Sequence, residues 1–170
     1  MVKSRPWRLV LLTHPTEFHK ASNTGALLAP ALADFAEHQV LRLPWSRVAP
    51  DANLQEMDGY ALLYPTAQAQ LLDCDDPAVV PLPDHIHSVI LLDATWQLAH
   101  KMYRQSPYLQ QMPSLLLQSN EPSVYALRRN QRQQGWCTAE SVALLLKGLG
   151  YVDAAARVSA AFLAFNQRQG

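Results

Sequence analysis

Three features of this sequence predict an α/β fold, a mostly parallel sheet flanked by helices. Apolar runs of strand length alternate along the chain with stretches of helical periodicity. The runs are apolar at consecutive rather than alternate positions, the pattern of strands buried on both faces. They also stop abruptly at polar residues, and such folds bind ligands beyond the carboxyl ends of their strands.

Arg8 to His14, "RLVLLTH", is the first expected strand, and it ends at His-Pro. Asn23-Thr24-Gly25 then precedes Leu28, Ala31, Leu32 and Phe35, whose spacing predicts a helix capped by Asn or Thr. Pro30 fits such a helix only near its first turn. "HQVLRLPW" (38–45) and "YALLYPTA" (60–67) read as further strands, each ended by a proline. From Leu71 to His87 the chain is rich in proline and aspartate, which predicts an irregular surface excursion. "SVILLDATW" (88–96) is the most apolar strand, and it halts at a carboxylate, a hydroxyl and an indole.

Trp96, Ala99, His100 and Tyr103 repeat at helical spacing, while Gln97, Lys101 and Arg104 share another face. "PSLLLQS" (113–119) reads as a buried strand. "CTAESVALLLKGLG" predicts a helix with Thr138 as cap and Glu140 in its first turn. Its apolar face is Val142, Leu145, Leu146 and Leu149, and Gly150 is its stop. Val158, Ala161, Phe162 and Phe165 mark a last helix. No internal repeat is present, and residues 1–170 fit a single domain.

Composition narrows the function classes. No apolar run approaches the ~20 residues that cross a bilayer. The opening "MVKSRPWRLVLLTHP" lacks a small-residue cleavage site, so a first strand is expected there rather than a signal peptide. Cys74 and Cys137 stand far apart in no metal-ligand spacing, which suits a reducing, cytoplasmic setting. Lys and Arg number 14 against 14 Asp and Glu, so overall charge argues for no polyanion partner. The charge is uneven, however, with basic segments at "KMYR" and "LRRNQR" that leave a local RNA-facing patch open.

Polar residues cluster at three strand-to-helix junctions: His14 through Gly25, Asp93 to Trp96, and the long link "SNEPSVYALRRNQRQQGWCTAE". Each has an ordinary reading beside a functional one. Thr95 serves as a helix cap whether or not it also serves a site, and Trp96 suits a core as well as a ligand. Asp93 is harder to explain by packing, because a carboxylate after four apolar residues costs free energy unless it is hydrogen-bonded or paired. Arg128 and Arg129 read as a solvated pair or as a phosphate-contacting segment. Cys137 has no clear histidine partner for a nucleophile's role. No dinucleotide fingerprint, phosphate loop or zinc spacing occurs.

"LLDATW" followed by "KMYRQSPYL" resembles the signature of the DTW-domain family, defined by Asp-x-Thr-Trp. "LLTHPTEFHKASNTGALL", "LLYPTA", "YALRR" and "CTAESVALLL" match the family's pattern too, in order, from about Leu9 to Leu146. The resemblance implies a tRNA-uridine aminocarboxypropyltransferase. Such an enzyme moves the 3-amino-3-carboxypropyl group of S-adenosylmethionine to uridine N3 and releases methylthioadenosine. The bacterial branch, acting on the tRNA variable loop, is the nearest likeness. Kinship with the SPOUT RNA methyltransferases implies a C-terminal trefoil knot, which periodicity does not reveal. The cysteine-rich zinc segment common in bacterial members is missing here, so no zinc is expected. Carried onto this chain, Asp93, Thr95 and Trp96 are the expected catalytic residues. Thr24, Gly25, Leu92, Leu117, Thr138 and Ala139 are expected to bind the cofactor, and Lys101, Arg104, Arg128 and Arg129 to contact RNA phosphates. The rival expectations are a methyltransferase using the same cofactor and a non-catalytic RNA-binding module.

Overall fold

The structure is a computed structural model that describes residues 7–35, 38–48, 54, 58–76, 83–123 and 136–169. Among the described residues six strands form one sheet: β1 (Trp7–Thr13), β2 (His38–Pro44), β3 (Tyr60–Leu63), β4 (Gln70–Asp73), β5 (Ser88–Asp93) and β6 (Ser114–Gln118). They lie in the order β2-β1-β5-β3-β6-β4, and every pairing is parallel. A short 3-10 turn (Thr24–Leu27) leads into α1 (Leu28–Ala31). The other helices are α2 (Trp96–Arg104), α3 (Pro107–Gln110), α4 (Thr138–Gly148) and α5 (Val152–Gln169). The expected α/β fold with a parallel sheet is what the chain adopts.

Strand parity divides the core in two. Leu9, Leu11, Val89 and Leu91 project to one face and pack with Leu28 of α1, Val142 and Leu145 of α4, and Val158 and Phe162 of α5. Val10, Leu12, Leu62 and Ile90 project to the other, against Met102 of α2 and Leu109 of α3. Helices therefore cover both faces, which is why the strands are apolar throughout. Among the described residues no helix is long and apolar enough to cross a membrane.

Three local expectations need correction. The Leu71–His87 stretch is not wholly irregular, because Gln70–Asp73 forms edge strand β4 beside β6, with Leu72 fully buried. The first helix is a 3-10 turn followed by one α turn, and Phe35 lies beyond it. Pro30 has no amide proton to bond the Ala26 carbonyl, so the α ladder cannot begin earlier. Finally, Cys137 and not Thr138 occupies the N-cap of α4. The Glu140 carboxylate reaches back to accept from the Cys137 amide at 3.1 Å, which leaves the Thr138 hydroxyl for another partner.

The topology places the site. From β1 the chain passes to β2 by way of α1 on one face, and from β5 to β6 by way of α2 and α3 on the other. Adjacent strands whose connections leave in opposite directions make a topological switch point, the usual location of a ligand crevice. Here it lies between the carboxyl ends of β1 and β5, where Thr13 and Asp93 are register partners.

Candidate functional site at the carboxyl ends of β1 and β5

Asp93 shares its face of β5 with Val89 and Leu91, so its side chain turns toward α4 and is only 2% exposed. Three neutral donors solvate the carboxylate. The Thr13 hydroxyl and the Asn23 side-chain amide donate to Oδ2 at 2.9 and 3.0 Å. The Thr138 hydroxyl donates to Oδ1 at 2.7 Å. Two further bonds close the cluster. The Asn23 Oδ1 caps the 3-10 turn by accepting from the Ala26 amide at 3.1 Å, and the Ala139 amide donates to the Thr24 hydroxyl oxygen at 3.1 Å. One buried carboxylate thus fastens two strand ends, the 3-10 turn and the first turn of α4.

Gly25 is part of this fastening. A Cβ there would lie 2.5 Å from Asp93 Oδ2, closer than real Cβ contacts come. Arg42 of β2 stands behind it, over the Phe18 ring at 4.0 Å, and donates to the Phe18 carbonyl at 2.6 Å and to Asn23 Oδ1 at 3.3 Å. It makes no hydrogen bond or ion pair with Asp93, so among the described residues the buried charge is hydrogen-bonded but has no cationic partner.

On the opposite side of the strand ends the chemistry is aromatic and basic. Thr95 caps α2 by accepting from the Leu98 amide, at 3.4 Å. Trp96 begins the helix 48% exposed and stacks on His100 with rings 6° from parallel. His14 stacks on Trp45, whose indole donates to Ser106 at 2.8 Å. The His14 Nδ1 accepts from the Thr16 amide at 3.2 Å, so the neutral ring carries its proton on Nε2. Burial, and then the nearby Lys101 charge, hold this imidazole below its ordinary pKa.

The expected site residues are therefore sorted by the fold. Thr24, Gly25, Asp93, Thr138 and Ala139 come together in one cluster. Thr95 and Trp96 stand exposed beside it, and Lys101 and Arg104 lie on the exposed side of α2. Leu92 pairs with Leu12 and packs on the α2 side, whereas Leu117 lies in β6 beside Leu72. Arg128 and Arg129 fall outside the described residues. Nothing in the sequence singles out Thr13, or Asn23 as a partner of Asp93. They are 80 and 70 positions from Asp93 in sequence, and only the strand register brings them there.

Neither cysteine offers a nucleophile. Burial, and then the neighbouring Glu140 charge, push the Cys137 thiol up to about 12, and burial pushes Cys74 up to about 11. The thiolate is the reactive form. Both cysteines should therefore resist a thiol-specific reagent at neutral pH and react fully in denaturant, and fast labelling of the native protein would contradict their burial.

A parallel α/β sheet covered by helices on both faces, with a buried, hydroxyl-bound carboxylate and an exposed indole at its switch point, defines a doubly covered α/β protein with a candidate ligand crevice at that point. The chain belongs to the DTW-domain family, whose model matches residues 1–170. That family is associated with tRNA modification. No solved structure matches the chain.

Proposed function

We propose that this protein is a tRNA-uridine aminocarboxypropyltransferase, taking its group from S-adenosylmethionine and attaching it to N3 of a uridine in the variable loop. The observation that carries this reading is Asp93, buried at the switch point and held by three neutral donors with no cationic partner among the described residues, three positions before an exposed indole. A sulfonium cation suits both, since a buried carboxylate bound by neutral donors and a π face each attract it. The donor is thus compatible with the residues present. Thr24, Gly25, Thr138 and Ala139 would hold its polar end, with Leu92 and Leu117 at the flanking strand ends.

When bound, the cofactor supplies an alkyl carbon already joined to a good leaving group. Transfer would form an N–C bond at uridine N3 as the S–C electrons return to sulfur, releasing methylthioadenosine and the N3 proton. Attraction between Asp93 and the sulfonium favours binding rather than reaction, because the positive charge vanishes as the bond breaks. Rate acceleration in this reading comes from positioning. A carboxylate has about four acceptor positions, and three of those on Asp93 are filled. The fourth, on Oδ1 beside Thr138, accepts or orients the N3 proton. Trp96 faces the sulfonium or stacks on the uracil, and Thr95 sets its angle by capping α2. Lys101, Arg104, Arg128 and Arg129 contact phosphates. The SPOUT-related fold with a knot around the cofactor, and a cytoplasmic setting, belong to the same proposal and are supported by the motif resemblance.

The test is incubation of tRNA with S-adenosylmethionine labelled on either the carboxyl carbon or the methyl carbon. Carboxyl label alone should enter the tRNA, and Trp96→Ala should cut its incorporation by about a hundredfold, or ~2.7 kcal/mol of barrier. Methyl label alone would identify a methyltransferase instead. Incorporation of neither, with tRNA still bound, would identify a binding module.

A further inference from the structure

The α2 helix buries only Met102 completely, so most of its circumference faces outward. At 100° per residue, Tyr103, Trp96 and His100 fall side by side along one ribbon, and Arg104, Gln97 and Lys101 along the next. The aromatic ribbon extends onto the sheet. Tyr64, just past the end of β3, stacks on Tyr103 at 4.3 Å between centroids. Its hydroxyl also lies 3.0 Å from His100 Nδ1, and His100 stacks in turn on Trp96. Four rings are therefore linked into a strip that starts at the candidate site and runs outward. Trp96 and His100 are exposed, and Tyr64 and Tyr103 are half-buried.

The charge that α2 itself carries is of one sign. In a chain with equal numbers of acids and bases, no Asp or Glu occurs between Asp93 and Glu121, whereas Lys101 and Arg104 do. Both are exposed, and among the described residues neither forms an ion pair. Partly exposed rings next to cations that have no ion-pair partner among the described residues are the two elements of a single-strand nucleic-acid groove, with stacking for bases and charge for phosphates.

We propose that this strip binds a short run of unpaired nucleotides in RNA, their bases stacked along Trp96, His100, Tyr64 and Tyr103 and their phosphates following Lys101 and Arg104. From Trp96 to Tyr103 the helix advances ~10 Å, room for about two bases beside the one in the site. A duplex is a poor fit, since its paired bases expose edges rather than faces. The inference rests on reading the protein as one that acts on RNA, and it adds where the nucleotides flanking the target lie.

The experiment is fluorescence anisotropy of the whole protein with a labelled short oligouridylate and with an RNA duplex of equal phosphate number, without cofactor. The oligouridylate should bind more tightly. His100→Ala and Tyr103→Leu should each weaken it about tenfold with an unchanged salt slope, and Tyr103→Phe should restore binding. Lys101→Ala should instead lower the salt slope by about one. Should Tyr103→Leu fail to fold, exposed His100 and Lys101 decide the matter alone. Equal affinity for duplex, or wild-type binding by the ring variants, overturns the proposal. Because no turnover is involved, a protein that modifies tRNA but binds independently of the rings loses only this surface. One that binds as described but transfers no group loses only the proposed activity.

Discussion

Asp93→Ala should lose both stability and activity, whereas Asp93→Asn should keep its fold and lose activity by a hundredfold or more. The difference follows from the three donors. Alanine leaves the Thr13 hydroxyl, the Asn23 amide and the Thr138 hydroxyl without an acceptor in a site only 2% exposed. An orphaned buried donor costs about 1–3 kcal/mol, so a total of about 4 kcal/mol is expected after relaxation. In a domain of this size that lowers the thermal midpoint by roughly 10 °C. Asparagine can place its carbonyl where Oδ2 now accepts twice. Its amide then faces Thr138, whose hydroxyl is able to accept as well as donate. Geometry survives while the charge is removed. Calorimetry and label incorporation on the two variants check this directly. An active Asp93→Asn enzyme would reduce Asp93 to a structural fastener, and a stable Asp93→Ala protein would mean the donors find other partners.

What the chain discloses about this site depends on how local each cause is. β5 and its polar stop are legible because both are written in consecutive residues, from Ser88 to Trp96. The capping role of Thr95 is legible for the same reason, since its partner is the amide of Leu98. Thr138 misleads: its residue type favours a helix N-cap, but a carboxylate 45 positions away draws its hydroxyl, and the cap passes to Cys137. β4 is hidden because an edge strand needs only one buried side chain, Leu72, and the surrounding aspartates and prolines read as loop. Tyr64 and His100 belong to separate elements, and only the pairing of β3 with β5 and the packing of α2 bring them together. The sequence therefore marks the strand end as a candidate site, and the fold supplies the hydrogen-bond partners of its carboxylate.

Gly25→Ala should be the most informative small substitution in the protein. Positive φ occurs at Gly59 and Gly150 but not at Gly25, so its backbone suits any residue and the constraint is space alone. The added methyl would meet Asp93 Oδ2 at 2.5 Å, Asp93 Cγ at 2.9 Å and Asn23 Oδ1 at 3.0 Å. None of these atoms can step aside, because each is held by the hydrogen bonds that define the cluster. Overpacking of this kind costs about 1–3 kcal/mol, and the displaced carboxylate should also abolish most transfer. Gly150→Ala is the contrast. Its Cβ would meet nothing within 4 Å, but its φ of 93° is unfavourable for alanine, so about 1–2 kcal/mol of stability is lost with activity unchanged. If Gly25 acts through Asp93, the activity losses of Gly25→Ala and Asp93→Asn will not add in the double variant. Additive losses would mean that Gly25 contacts the ligand itself and that the crevice extends beneath the 3-10 turn.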